Sequence, residues 1–159
     1  MRSVRSIFVL AVVFILAGTV LTLENMNIIS GASRLWPVFL FVVGAGFFIL
    51  FFERGKNDLA LSFLGTMLVL LAAFFLYLNF TSWKNMATMW PFFLGIAGGG
   101  FVTMYLSSME RIFMFLSLGL IMLGGLFYLV FGVSIQLWPL SLVAFGLSLL
   151  LVNYFYIRK

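Results

Sequence analysis

An all-α integral membrane protein is the fold class this sequence predicts, with six transmembrane helices arranged as three parallel helical-hairpin repeats and both termini cytoplasmic. Three observations predict it. The chain is 65% hydrophobic and only 8% charged, against roughly 25% charged residues in a soluble domain, and its mean hydropathy is +1.26. Several apolar stretches reach about 18 residues or more, the length that crosses a hydrocarbon core near 30 Å. One phrase, Trp-Pro-x-x-Leu-x-x-x-Gly, occurs at 36–44, 90–98 and 138–146 and contains every proline and three of the four tryptophans. The polar connections are too short to form a soluble domain, so residues 1–159 read as a single transmembrane domain.

The first predicted span runs from Ile7 to Leu23, behind the basic start Arg2 and Arg5. A signal peptide is the alternative, with Ala17-Gly18-Thr19 near a cleavage point, but the run outlasts the usual ~7–15-residue apolar region. A polar connection, 24–35, leads to a second span at 36–52, and a tight charged turn at 53–58 leads to a third at 59–80. Residues 81–89 connect it to a fourth span at 90–106, and the turn 107–111 to a fifth at 112–131. A short link, 132–136, precedes the last span, 137–157. Helices are required because open strands leave backbone groups unsatisfied in lipid, and these runs lack the polar–apolar alternation of a barrel.

Orientation follows from the distribution of cations. With the N-terminus inside, Arg2, Arg5, Arg54, Lys56, Arg111, Arg158 and Lys159 fall on the inner side, and only Arg34 and Lys84 on the outer. All three Trp-Pro phrases then begin at the outer face. The charge of +5 is thus a topology signal and not a nucleic-acid one.

Alignment on the prolines gives three units, about 7–54, 59–108 and 112–156, each one hairpin. The helices that precede each phrase echo one another as well, with small pairs at Ala17-Gly18, Ala72-Ala73 and Gly124-Gly125. Hairpins that all enter from one side are parallel repeats, unlike the inverted repeats of many transporters. Proline costs little in a first helical turn, whose N–H groups have no intrahelical partner, and tryptophan favours the headgroup region. Trp36-Pro37, Trp90-Pro91 and Trp138-Pro139 are therefore expected to start each even-numbered helix and set its depth. Three and seven residues beyond each proline lie Leu40 and Gly44, Leu94 and Gly98, and Leu142 and Gly146, on one helical stripe. Glycine in such a stripe admits a close neighbour, the main source of helix association in lipid. The stripe is expected to meet the odd-numbered helix of its own hairpin, and Gly95 and Gly99 add a Gly-x-x-x-Gly spacing.

No chemistry is evident. Cysteine and histidine are absent, and the four acids, Glu24, Glu53, Asp58 and Glu110, lie at segment ends or in turns. Ionisable groups at depth usually mark catalysis or transport in membranes, and none is found mid-span. No enzyme, cofactor or metal is expected. Polar side chains within spans, such as Thr66, Asn79 and Ser117, are expected to bond within the helix bundle or to lie at its ends. The outer connections supply the remaining contact candidates: Glu24 and Asn25 in the first, Trp83 and Lys84 in the second.

The stretch 18–29, with Leu23-Glu24-Asn25-Met26-Asn27, followed by Leu35-Trp36-Pro37, Leu40 and Gly44, resembles the LiaI/LiaF-like transmembrane region of bacterial membrane proteins. The second unit keeps Leu78-Asn79-Phe80 before Trp90-Pro91, and the third keeps mainly its Trp-Pro helix. The resemblance implies a multi-pass protein of the bacterial cytoplasmic (inner) membrane, sometimes connected with envelope stress. Family members often carry a soluble domain that is not found here. The expected function is a non-enzymatic module that binds helices or lipids, or a small subunit of a membrane complex. Its partners would be membrane lipids and a membrane protein or a second copy, with no nucleic acid. The alternative is a transporter or permease subunit for a neutral or lipophilic solute.

Overall fold

In the computed structural model, residues 21–28, 31–54 and 58–140 are described continuously, with isolated positions at 11, 14, 15, 18 and 19 before them and at 142, 143, 146–148, 150 and 154 after. Among the described residues the structure is helical and contains no strand. Four helices form its body: α1, Trp36–Glu53; α2, Leu59–Phe80; α3, Phe92–Ser108; and α4, Arg111–Tyr128. The last continues through a π-helical turn, Leu129–Val133. The spans predicted at 7–23 and 137–157 lie partly outside the described residues. Where described they are helical, and the first reaches residue 25.

Three segments are long and apolar enough to cross a membrane: Trp36–Glu53, Leu59–Phe80 and Arg111–Val133. A fourth crossing results if Trp83–Met89 and Phe92–Ser108 are taken as one broken span, bent by 70°. Large apolar side chains face outward along these helices, with Phe41 50%, Ile49 60% and Phe52 61% exposed. Such a surface belongs in lipid, and the chain is a helical membrane protein.

The end of the first helix shows how local sequence sets the path. Ile28 N–H donates to Leu23 O at 3.0 Å and Asn27 N–H to Glu24 O at 2.9 Å, with Asn27 at φ 57. This is the Schellman closure, in which the residue after the helix takes a left-handed backbone that asparagine tolerates. The bend before α3 has a different cause. Pro91 has no N–H to continue the ladder, and the chain passes it with three-residue bonds, Phe93 N–H to Trp90 O and Leu94 N–H to Pro91 O, both 3.1 Å. The sequence predicts a helix start at Trp90 and a plain connection at 81–89. The regular helix instead starts at Phe92, and the connection is itself helical, Trp83–Asn85 and Met86–Met89.

Packing follows turn length. The most extensive contacts join α1 to α2 and α3 to α4, across the short turns after Glu53 and Ser108, and α2 to α3 less so. In the first two phrases the stripe glycine therefore packs against the helix that follows it, not the one that precedes the phrase as expected. A Cβ on Gly44 would lie 3.0 Å from Gly65 O and from Val69, on α2. One on Gly98 would lie 2.7 Å from Ile121 and 3.1 Å from Ser117 O, on α4. A turn of a few residues keeps its two helices adjacent, whereas a connection of about ten leaves them free to part. Within the middle hairpin, α3 meets α2 through Gly99, facing Leu70, and Gly100, facing Phe63. Three consecutive glycines thus form a waist held between two helices. The core is Phe74, Leu78 and Ile96, covered by Met86 and Met89 from the bent segment. In lipid, burial exchanges one apolar neighbour for another, so the gain here is close packing rather than removal from water.

Candidate interface site at the Trp-Pro end

The Trp-Pro anchors take unequal places. Trp36 opens α1 with Pro37 buried behind it, and Trp90 and buried Pro91 form the bend before α3. Trp138 is 57% exposed, at the head of the last helix with Pro139 also exposed. Around the first two anchors the aromatic rings gather into two groups at the same end of the bundle. Phe75 lies between Trp36 at 5.1 Å and Trp83 at 6.0 Å, the latter stacked. It reaches Phe93 and through it Phe74, and Phe74 stacks on Phe92, which meets Tyr128 edge-on. Trp90 packs on Phe127 and Phe131 near the end of α4. Offset and edge-on ring pairs of this kind add about 0.5–1.5 kcal/mol each beyond contact area. These ring contacts join α1, α2, α3 and α4 at one end of the bundle.

Asn79, the penultimate residue of α2, completes this arrangement. Its Nδ2 donates to Arg34 O and its Oδ1 accepts from Trp83 Nε1, both at 2.8 Å. One amide thereby ties the connection before α1 to the connection before α3. Sequence reading assigned Asn79 only to the end of a span. The available signal was an amide in the same helix face as Phe75, four residues earlier, and beside a loop tryptophan. Lys84 lies exposed next to Trp83, and Ser82 Oγ accepts from the Lys84 N–H at 3.3 Å. Glu24 has a structural role, its Oε1 accepting from the Gly31 N–H at 2.9 Å, with Gly31 at φ 87. Asn25 is exposed in the last turn of the first helix.

The stripe residues divide in the same uneven way. Leu40 and Leu94 are half-buried and Gly44 and Gly98 are buried against neighbouring helices. Leu142 is 63% exposed and nothing lies within 4 Å of a Cβ on Gly146. Gly95 also has nothing within 4 Å of a Cβ, while Gly99 faces Leu70, so that spacing does not present one face to one neighbour. Between α4 and the last helix an open groove of about 560 Å³ is lined by Phe115, Leu116, Leu123, Phe127, Leu142 and others, almost all apolar.

At the other end of the bundle a small polar cluster crosses from α2 to α3. Thr66 and Thr103 hydroxyls lie 2.9 Å apart, each also donating to its own helix, Thr66 to Ser62 O and Thr103 to Gly100 O. Since one hydroxyl holds one proton, the inter-helix bond and these two are shared among alternatives. Ser62 Oγ is buried with no partner. Ser117, also buried, donates to Met114 O at 2.8 Å. The exposed Arg54–Asp58 pair, 3.3 Å across the turn, carries little energy in water. Among the described residues no group of three or more metal-binding side chains forms. No family model, no curated protein and no solved structure matches this chain.

Proposed function

We propose that the chain is a non-enzymatic, multi-pass protein of a bacterial cytoplasmic membrane, acting as a helix- or lipid-binding module or as a small subunit of a membrane complex. The observation that carries this reading is the way its polar groups are used. Thr66, Thr103 and Ser117 bond within or between helices of the bundle, while the outward surface and the open groove are apolar. Interhelical hydrogen bonds and glycine contacts are the means by which membrane helices associate. The resemblance to the LiaI/LiaF-like region adds a connection with envelope stress to the proposal. We further propose six spans in three parallel hairpins, with both termini cytoplasmic, supported by the cation distribution and the threefold phrase.

The groove beside α4 favours a second reading, a transporter or permease subunit for a neutral or lipophilic solute. Gentle extraction from native membranes followed by mass spectrometry tests the first reading. A stoichiometric membrane-protein partner, a homo-oligomer or a retained lipid is the expected result. A lone, lipid-free monomer together with solute flux in reconstituted liposomes would favour the second. Single cysteines test the topology, since the chain has none. A cysteine replacing Ser134 should react with an impermeant reagent from outside, and reaction only from inside would reverse the orientation.

A further inference from the structure

We propose that the Trp-Pro end of the bundle carries a headgroup site for an anionic phospholipid, formed by the Arg34 guanidinium and the Lys84 ammonium and kept in register by Asn79. The inference rests on the membrane reading above and deepens it by naming a ligand.

The two cations come from connections fifty residues apart, and Asn79 joins those connections through 2.8 Å bonds to Arg34 O and Trp83 Nε1. Trp83 is the residue next to Lys84. Both cations are exposed. The ion pair found among the described residues is Arg54–Asp58, at the opposite end of α1 and α2. Glu24 is the one acid of the Trp-Pro end, and its carboxylate receives the Gly31 N–H. Among the described residues neither Arg34 nor Lys84 takes part in an ion pair, and their positive charge is open to a ligand.

The surroundings select the kind of anion. Leu35 is 48%, Trp36 39% and Trp83 49% exposed beside these cations, and Trp36 and Trp83 flank Phe75. A soluble phosphate would leave that apolar surface in water. A phospholipid covers it with glycerol and acyl chain while its phosphate reaches the cations. A guanidinium presents a planar fork to two phosphate oxygens, and an ammonium adds a point charge. Juxtamembrane basic residues attract anionic lipid by roughly fivefold in affinity each.

The test measures lipids retained by the full chain in mild detergent, by native mass spectrometry, with phosphatidylglycerol and phosphatidylcholine in competition. Wild-type protein is expected to prefer phosphatidylglycerol by about tenfold or more. The double variant Arg34→Gln/Lys84→Gln should bring the two lipids near parity. Asn79→Ala should weaken the preference with both charges still present, and Arg54→Gln should leave it unchanged. Helix content by circular dichroism checks that each variant is folded. Retention of the full preference in the double variant overturns the site. So does equal competition by glycerol 1-phosphate, which would mark a free-phosphate site, or a changed oligomeric mass without a change in lipid, which would mark a protein contact. The module reading survives those results if a partner still co-purifies. The membrane reading on which the site rests fails separately, if alkaline carbonate releases the chain from membranes.

Discussion

Gly44 and Gly65 place their backbones face to face: a Cβ on Gly44 would stand 3.0 Å from Gly65 O, and one on Gly65 3.2 Å from Gly44 O. Neither helix can add a methyl group there without moving the other. Gly46, two residues along α1, has nothing within 4 Å of the same point. Gly44→Ala is expected to lower stability by about 1–3 kcal/mol through overpacking. Gly46→Ala should be neutral or stabilising by up to about 1 kcal/mol through helix propensity. Unfolding in mixed micelles measures both, and equal effects would refute the contact.

Gly124 and Gly125 make a sharper pair because they are adjacent in sequence. A Cβ on Gly124 would lie 2.9 Å from Pro91 O and 3.2 Å from Gly95 N, whereas Gly125 is open. Gly124→Ala should destabilise by about 1–3 kcal/mol, since the obstructing atoms are backbone, and Gly125→Ala should not. The same unfolding assay decides, and a tolerated Gly124→Ala would mean that α4 does not approach the start of α3 this closely.

Ser62 and its neighbours predict opposite signs within one cluster. Ser62 Oγ is buried without a partner, so Ser62→Ala should be neutral or stabilising by about 1 kcal/mol, having removed an unmet hydroxyl. Its carbonyl, which accepts from Thr66, remains. Thr66→Val and Thr103→Val should each destabilise, and a double-mutant cycle should return a coupling of about 0.6 kcal/mol and no more than about 1.7. Zero coupling would show that the two hydroxyls do not bond to each other, leaving Thr103 to Gly100 O or Ser62 O.

Met109 occupies a left-handed backbone, φ 57, at the end of α3 and is exposed. A residue other than glycine or asparagine is costly there. Met109→Asn should raise stability by about 0.5–1 kcal/mol, read as a higher unfolding midpoint. A lower midpoint would mean that the Met109 side chain contributes packing that outweighs its backbone.

Much of the path along the chain was legible in the residues. Leu59–Phe80 is bounded by a charged turn on one side and a polar connection on the other, so hydrophobicity alone delimits it. The Trp36-Pro37 start was legible because proline without an N–H fits a first turn. The same dipeptide at 90–91 misled, because a proline that starts one helix can also break another, and Met86–Met89 is already helical before it. What decides is whether Met86 and Met89 have a core to cover, and that is a tertiary fact. Helix partners were hidden for a related reason. A glycine such as Gly98 advertises a close approach without naming the neighbour, and only the shortness of the turn 109–110 pointed to α4. The role of Asn79 is the least legible of all. Its two partners are remote or local in sequence, and nothing in an amide at a helix end distinguishes a tie between loops from a wetted cap.

The antiparallel glycine pairings also bear on the order of assembly. Gly44 meets Gly65 and Gly98 meets Ser117 and Ile121, so each close pair is complete within a short length of chain and closes a small loop. Contacts of low sequence separation form early, and N-terminal units precede those synthesised later. The α1–α2 pair can therefore close while α4 is still unmade. The Thr66–Thr103 bond and the Phe74–Phe93 contact then dock α3 onto a surface that already exists, and the amide of Asn79 can hold the loop at Arg34 before Trp83 arrives to occupy its other side.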